Sequence, residues 1–339
     1  MKRWLLILFL IAVGIVPAAA SSPEAGEEDL DISGVIFGHI GDSYEWHITD
    51  IGDRSIAIHL PVILYSKTSG WHVFSSKKME GGRYGNFVFN EKGKIVELSD
   101  GEPVRPLDIS ITKNVLSLMF SCVLLLVVFL LTARWYRRHD SLEEAPGGIA
   151  SLMEPLVMMV HNIAKENIGE DYRRFSPYLC TAFFFILFNN FLGIIPIFPG
   201  GANLTGNIAI TLVLALFTFF IVNLSGTKHY YKDIFAPPVP GFLKPIMPII
   251  EVFSALMKPV SLTIRLFANM MAGHIMILSM VCVIFVVAAM GPVLFGSMTV
   301  VSLLLGLFLD LLECLVAFIQ AYVFTILSAV YIGLARAKE

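Results

Sequence analysis

Four ionisable side chains, Arg265, His274, Asp310 and Glu313, interrupt the long apolar stretches of the C-terminal third of this sequence. A charge in hydrocarbon is costly even on the milder insertion scales, so such residues need partners or water, and they commonly mark an ion path. Their spacing is ordered. Ser254, Lys258, Ser261, Arg265 and Asn269 recur every three or four residues, which puts them on one face of a helix as a polar stripe. Glu313 and Gln320 are two turns apart and share a face of the next helix, with Asp310 one turn from Glu313.

If the two helices form an antiparallel hairpin about Gly291-Pro292, residues equidistant from that turn face each other. This predicts Arg265 level with Gln320, and His274 level with Glu313, the two pairs lying roughly 13 Å apart along the axes. The His–Glu pair then lies nearer the outside and the arginine deeper, facing the helix that carries Glu313. The chemistry is proton handling. Histidine titrates near neutral pH and can exchange protons with a neighbouring carboxylate. An arginine side chain holds its proton at any working pH, so it attracts a carboxylate but relays nothing. A conducting pair beside a non-conducting cation gives two half-paths separated by an electrostatic barrier.

The elements that must position these groups are membrane helices. Of 339 residues, 56% are hydrophobic and 15% charged, with a mean hydropathy of +0.75. That composition excludes an ordinary soluble domain and predicts an all-α polytopic membrane protein. Met1-Lys2-Arg3, an apolar core to Val16 and small residues at 17–21 predict a signal peptide over 1–20. Residues 21–113 are polar, with an acidic lead at 22–29 and short alternating runs such as Ser55–Leu60, and predict a small exported β-rich region. Its histidines (His39, His47, His59, His72) have no metal-ligand spacing and are taken as surface or packing residues. The four cysteines (Cys122, Cys180, Cys282, Cys314) fall in apolar segments and suit small apolar positions better than a disulfide framework.

The membrane domain spans 114–339. A first crossing, Val115–Ala133, ends in the basic and aromatic stop Arg134–His139, so it runs from outside to inside. An amphipathic helix over Ser151–Arg174 is expected along the cytoplasmic face. Tyr178–Ile197 crosses outward, and the loop Pro196–Thr205 contains no Lys or Arg. Asn207–Leu224 crosses inward, followed by Lys228, His229 and Lys232, then the stiff loop Pro237–Gly241. The segments Pro248–Met290 and Val293–Leu334 far exceed the roughly 30 Å hydrocarbon thickness. Either they lie steeply tilted, or the first begins as a re-entrant hairpin with a break at Pro259. The result is about five crossings of the mature chain, with the N-terminus periplasmic and the C-terminus, at Arg336 and Lys338, cytoplasmic. No internal repeat supports a transporter built from inverted halves, and no His-Glu-x-x-His motif supports an intramembrane metalloprotease.

The run Lys258-Pro259-Val260-Ser261-Leu262-Thr263-Ile264-Arg265-Leu266-Phe267-Ala268-Asn269-Met270-Met271-Ala272-Gly273 resembles the signature of subunit a of F-type ATP synthases. Leu315–Phe324, with Gln320, is similar to that family's last helix, and Phe188–Pro196 to an earlier one; the resemblance covers about Val115 to the C-terminus. It implies a non-catalytic, proton-conducting stator subunit of the bacterial inner membrane, standing beside a ring of c subunits and held by peripheral-stalk b subunits. No cofactor, metal or nucleic acid is implied. By the resemblance, Arg265 engages the ring carboxylate and prevents a proton short circuit, Asn269, His274, Glu313 and Gln320 line the outer half-channel, and Ser261 lies toward the inner one. Better-known bacterial members carry Glu after the Ala-Gly of this motif and His on the last helix, so His274 and Glu313 invert that order. The exported region is longer than the family minimum, and in this the chain is similar to the Bacteroidetes-type form. A freestanding ion channel or secondary transporter is the alternative reading of the same residues.

Overall fold

The computed structural model describes residues 41–51, 54–79, 81–90, 93–99, 102–139, 144–195, 200–235, 244, 246–288 and 292–337. The expected signal peptide, the acidic lead, His39, the Pro237–Gly241 loop and Gly291 lie outside them.

The described residues from 41 to 108 are β-rich. Strands β1 (Glu45–Ile51) and β2 (Arg54–His59) form an antiparallel hairpin. β3 (Pro61–Ser66) is central in a second sheet between β4 (Gly70–Ser75) and β9 (Leu107–Asp108). β5 (Arg83–Tyr84), β6 (Phe87–Phe89), β7 (Ile95–Ser99) and β8 (Glu102–Val104) form an antiparallel meander. Period-two alternation sends Val62, Leu64 and Ser66 of β3 inward, where the two apolar side chains join Tyr44, Phe74, Met79, Phe87 and Ile95. Ser66 ends that inward row, and Glu97 of β7 is buried beside it at 3% exposure. Ser66 donates to one Glu97 oxygen, while Thr68 and Ser69 donate to the other at 3.0 and 2.8 Å. Burial pushes the Glu97 carboxyl up, but the three hydroxyl donors outweigh it and hold the group below its ordinary range.

The other unit is helical. Helix α1 (Lys113–Arg138) carries Arg137 and Arg138 in its last turn, where the helix dipole favours them. It outruns the expected crossing because Arg134–Arg138 remain helical, with Trp135 stacked on His139. The amphipathic segment is shorter than expected. Helix α2 covers Ile149–Ile168 and stops at Gly169, whose φ of 76° is a conformation glycine adopts without a side-chain penalty. A 3-10 turn then leads to α3 (Tyr172–Ile194), so Tyr172–Arg174 belong to the next helix. Helix α4 (Ile208–Ser225) is capped by Asn207, whose side chain accepts from the Ala209 N–H at 3.0 Å. A short α5 (Lys228–Phe235) follows, its basic residues already noted but its helix not foreseen.

Helices α6 (Met247–Ala288, 42 residues) and α7 (Pro292–Arg336, 45 residues) are each continuous. At 1.5 Å per residue they measure about 63 and 68 Å. Pro259 does not break α6, which excludes the re-entrant alternative. Among the described residues, five helical segments are long and apolar enough to cross a membrane. The core centres on α3, where Leu179, Phe183, Phe184 and Ile186 are fully buried, and joins α3 to Leu262 and Leu266 of α6 and Phe324, Ala329 and Ile332 of α7. The end of α7 is pinned. Arg336 donates to Asp171 through Nε at 3.0 Å and to the Ser225 carbonyl at 3.3 Å, and Thr227 N donates to Ala335 O at 2.9 Å. A Cβ at Gly333 would collide with the Asn167 carbonyl, so only glycine lets α7 approach α2 this closely.

Because folding lowers the Glu97 pKa, its contribution to stability is full above the unfolded value of about 4.3 and disappears as pH falls through the lower folded value. Hydrogen-exchange protection of β3 and β7 in the full chain, corrected for the intrinsic rate at each pH, should therefore fall on acidification below about pH 4. Glu97→Gln should already exchange faster at pH 7, by about 1.5–3 kcal/mol for the lost charged hydrogen bonds, and lack that acid step. A mutant profile parallel to the wild type would refute the role given to Glu97.

Candidate functional site

Helices α6 and α7 bring His274 and Glu313 together. His274 Nδ1 lies 3.0 Å from Glu313 Oε1, with side-chain exposures of 16% and 6%. Gly273 makes this approach fit, because a Cβ there would stand 2.7 Å from the same oxygen. The ring nitrogen is also 3.2 Å from the Met270 carbonyl and is aligned on it. Among the described residues, neither Glu313 oxygen therefore has an aligned hydrogen-bond donor. A buried carboxylate in that condition requires a proton or water as its partner.

The surrounding polar groups extend onto α3 and the loop before α4. Asn190, fully buried, donates to the Ala317 carbonyl of α7 at 3.3 Å and accepts from Thr205 Oγ1 at 2.7 Å. Gly193 and the Ala202 carbonyl border the same region, since a Cβ on Gly193 would lie 3.7 Å from His274 Cε1 and 3.6 Å from Ala202 O. Gln320 Oε1, Asn189 Oδ1 and Asn203 Nδ2 are buried and, among the described residues, without a hydrogen-bond partner. Unsatisfied buried polar atoms thus occur on α3, on α7 and in the loop before α4. Asn190 and Thr205 were not singled out from the sequence as site residues. The signal available was two adjacent asparagines, Asn189-Asn190, inside an otherwise apolar crossing.

Arg265 is placed differently from the expectation. It is exposed on α6, not buried against α7, and among the described residues it has no hydrogen bond or ion pair. Ser254, Ser261 and Asn269 are exposed on its face, so the stripe exists but faces away from the rest of the chain. Lys258 departs from it, half-buried with Nζ 5.2 Å from the Tyr331 ring centre. The Lys258–Tyr331 and His274–Glu313 contacts fix the register of α6 on α7. Interpolation between them puts Arg265 level with about Val323, roughly one turn inward of Gln320. The predicted Arg265–Gln320 pair is not formed: Gln320 is turned inward at 6% exposure while Arg265 is turned out. Asp310 is exposed on α7.

Toward the N-terminal end of α6 from Arg265 lies a narrow cleft between α4, α5, α6 and α7, lined mostly by apolar side chains such as Phe219, Val222 and Leu262, with Thr218, Asn223, Tyr230, Lys258 and Tyr331 among them. Thr218 is bonded to Tyr178 Oη at 2.6 Å and to Ser328 Oγ at 3.4 Å. Along α6 the order is therefore the cleft beside Lys258, the exposed arginine, and the buried His–Glu pair.

His274→Glu with Glu313→His should retain more activity than either single substitution, because the swap preserves a facing acid–base pair. Gly273→Ala should displace the Glu313 carboxylate and lower activity with the helices intact. Additive losses in the double mutant, or wild-type activity in Gly273→Ala, would argue against the contact as the working unit.

The family model described as ATP synthase A chain matches residues 116–333, and one described as a domain of unknown function matches residues 35–111. Curated relatives include ATP synthase subunit a 2 of Prosthecochloris aestuarii, 46% identical over 68% of this chain and 70% of its own. ATP synthase subunit a of Chlorobium phaeobacteroides is 42% identical over 79% and 75%, and that of Myxococcus xanthus 36% identical over 79% and 84%. The match spans the helices that carry the stripe, the His–Glu pair and the inner cleft, and on that basis the chain belongs to the ATP synthase A chain family.

Proposed function

We propose that this chain is the proton-conducting stator subunit of an F-type ATP synthase in a bacterial inner membrane, with its N-terminus periplasmic and its C-terminus cytoplasmic. The observation that carries this reading is Arg265: a permanent cation on an exposed face of a membrane helix, partnerless among the described residues, between the buried His274–Glu313 pair and the cleft beside Lys258. A guanidinium in that position needs a carboxylate supplied by another subunit. A ring of c subunits that presents one carboxylate at a time meets the requirement. The chain then has no catalytic role of its own and couples proton flow to ATP made elsewhere in the complex.

The pair and the cleft each serve a half-path. On the outer side His274 and Glu313 pass protons, with Gln320 and the Asn190–Thr205 pair lining the way. Asn269, one turn outward of Arg265 on the exposed face, meets the ring where the outer path delivers. Ser261, one turn inward, meets it where the inner path begins, and the cleft by Lys258 and Tyr331 leads on from there. Arg265 separates the two because it attracts the ring carboxylate and cannot carry a proton past itself. The lengths of α6 and α7 suit helices laid obliquely along a curved ring. Peripheral-stalk b subunits would hold the chain against the torque. A freestanding channel or transporter would need its own carboxylate for Arg265, and none lies beside it among the described residues.

In the assembled complex, Arg265→Ala should reduce proton-driven ATP synthesis to background while leaving subunit composition unchanged, and should raise passive proton flux through the membrane sector. Normal coupled synthesis in that variant would overturn the reading.

A further inference from the structure

Asp310 has no role in the paths described so far. It is exposed on α7, and its carboxylate lies one turn from Glu313 and within electrostatic reach of it. A carboxylate on a membrane helix is not tolerated facing lipid, so it faces water or a partner's cation. Its exposed neighbours Leu307, Phe308 and Leu311 are apolar, and the polar group within its reach is Glu313, whose carboxylate itself needs a proton or water. Between His274 and Asp310, along residues 275–309, the sequence has no Asp, Glu, Lys, Arg or His. Asp310 is therefore the first acid or base met on the hairpin outward of the His274–Glu313 pair. The pair itself is enclosed, with Glu313 at 6% exposure, and needs an accessible group to exchange with the outside.

We infer that Asp310 is the outermost proton-exchanging carboxylate of the outer path, taking protons from outside water and handing them to Glu313. The step balances without a co-reactant. Hydronium protonates the Asp310 carboxylate, the proton moves to Glu313, directly or through one water, and Asp310 returns to its ionised form. A carboxylate is suited to this because, ionised at the mouth, it also raises the local proton concentration. This inference rests on the proposed stator function.

The test uses the assembled complex in proteoliposomes, with membrane potential and inner pH held constant while outer pH is varied. Asp310→Asn should lower the maximal rate of ATP synthesis several-fold and shift its dependence on outer pH toward acid by about one unit, because a higher proton concentration must replace the lost relay. Asp310→Glu should restore both. Dependence on inner pH should not change. A structural or salt-bridging role would lower the rate without moving the outer-pH profile, and that result, like a wild-type profile, would overturn the inference. Glu313→Gln serves as the control for the underlying reading. If it abolishes coupled synthesis while Asp310→Asn leaves the outer-pH profile in place, the Asp310 step alone fails. If Glu313→Gln has no effect, the outer path itself fails.

Discussion

The placement of a single guanidinium governs the design of this chain. Hydrocarbon does not tolerate a partnerless cation, and a guanidinium cannot lose its charge to escape the difficulty as a lysine or histidine can. Placing Arg265 on an exposed face of α6 therefore commits the molecule to assembly. The other polar groups divide around it, with the enclosed His274–Glu313 pair and its asparagine neighbours on one side and the Lys258–Tyr331 cleft on the other. On the proposed reading, a cation that attracts the mobile charge but cannot transmit a proton makes that separation useful.

The scaffold answers the requirement for precision. A relay needs its groups within hydrogen-bond distance, and two 60 Å helices would slide on one another without fixed points. Two features supply them: Gly273 of α6 admits the Glu313 carboxylate of α7, and Lys258 of α6 packs on Tyr331 of α7. Arg336, bound to Asp171 and Ser225, ties the end of α7 to the rest of the helical unit. The aromatic core on α3, with Phe183 and Phe184 fully buried, backs both long helices and leaves their opposite faces free for partners.

Much of this was legible in the sequence because membranes impose simple periodicities. The order of crossings follows from hydropathy and basic residues, and the His274–Glu313 contact follows from equidistance about a turn. The arginine was misjudged for a physical reason. Equidistance sets the level of a residue along an antiparallel pair, not the direction it faces. The three- and four-residue spacing from Ser254 to Asn269 defines a face but does not say whether that face meets α7 or a second protein. The isolation of Lys258 from its stripe was likewise unreadable, because the aromatic ring that draws it in is Tyr331, more than seventy positions away. Gly169 and Gly333 were overlooked as punctuation, although one ends α2 and the other admits it against α7.

The inverted acid and base follow from the same geometry. Facing positions on two helices are interchangeable for proton transfer as long as the pair is kept, because the proton crosses the gap between the side chains whichever helix carries the imidazole. Steric room is not interchangeable. The residue before the α6 partner must be small wherever the α7 partner is a carboxylate pressed against the α6 backbone, and Gly273 meets that need. The histidine on α6 then has the Met270 carbonyl one turn back to orient its ring, a constraint that a glutamate at the same place would not have. The swap thus transfers orientation from one helix to the other, and the pair remains close enough to exchange a proton.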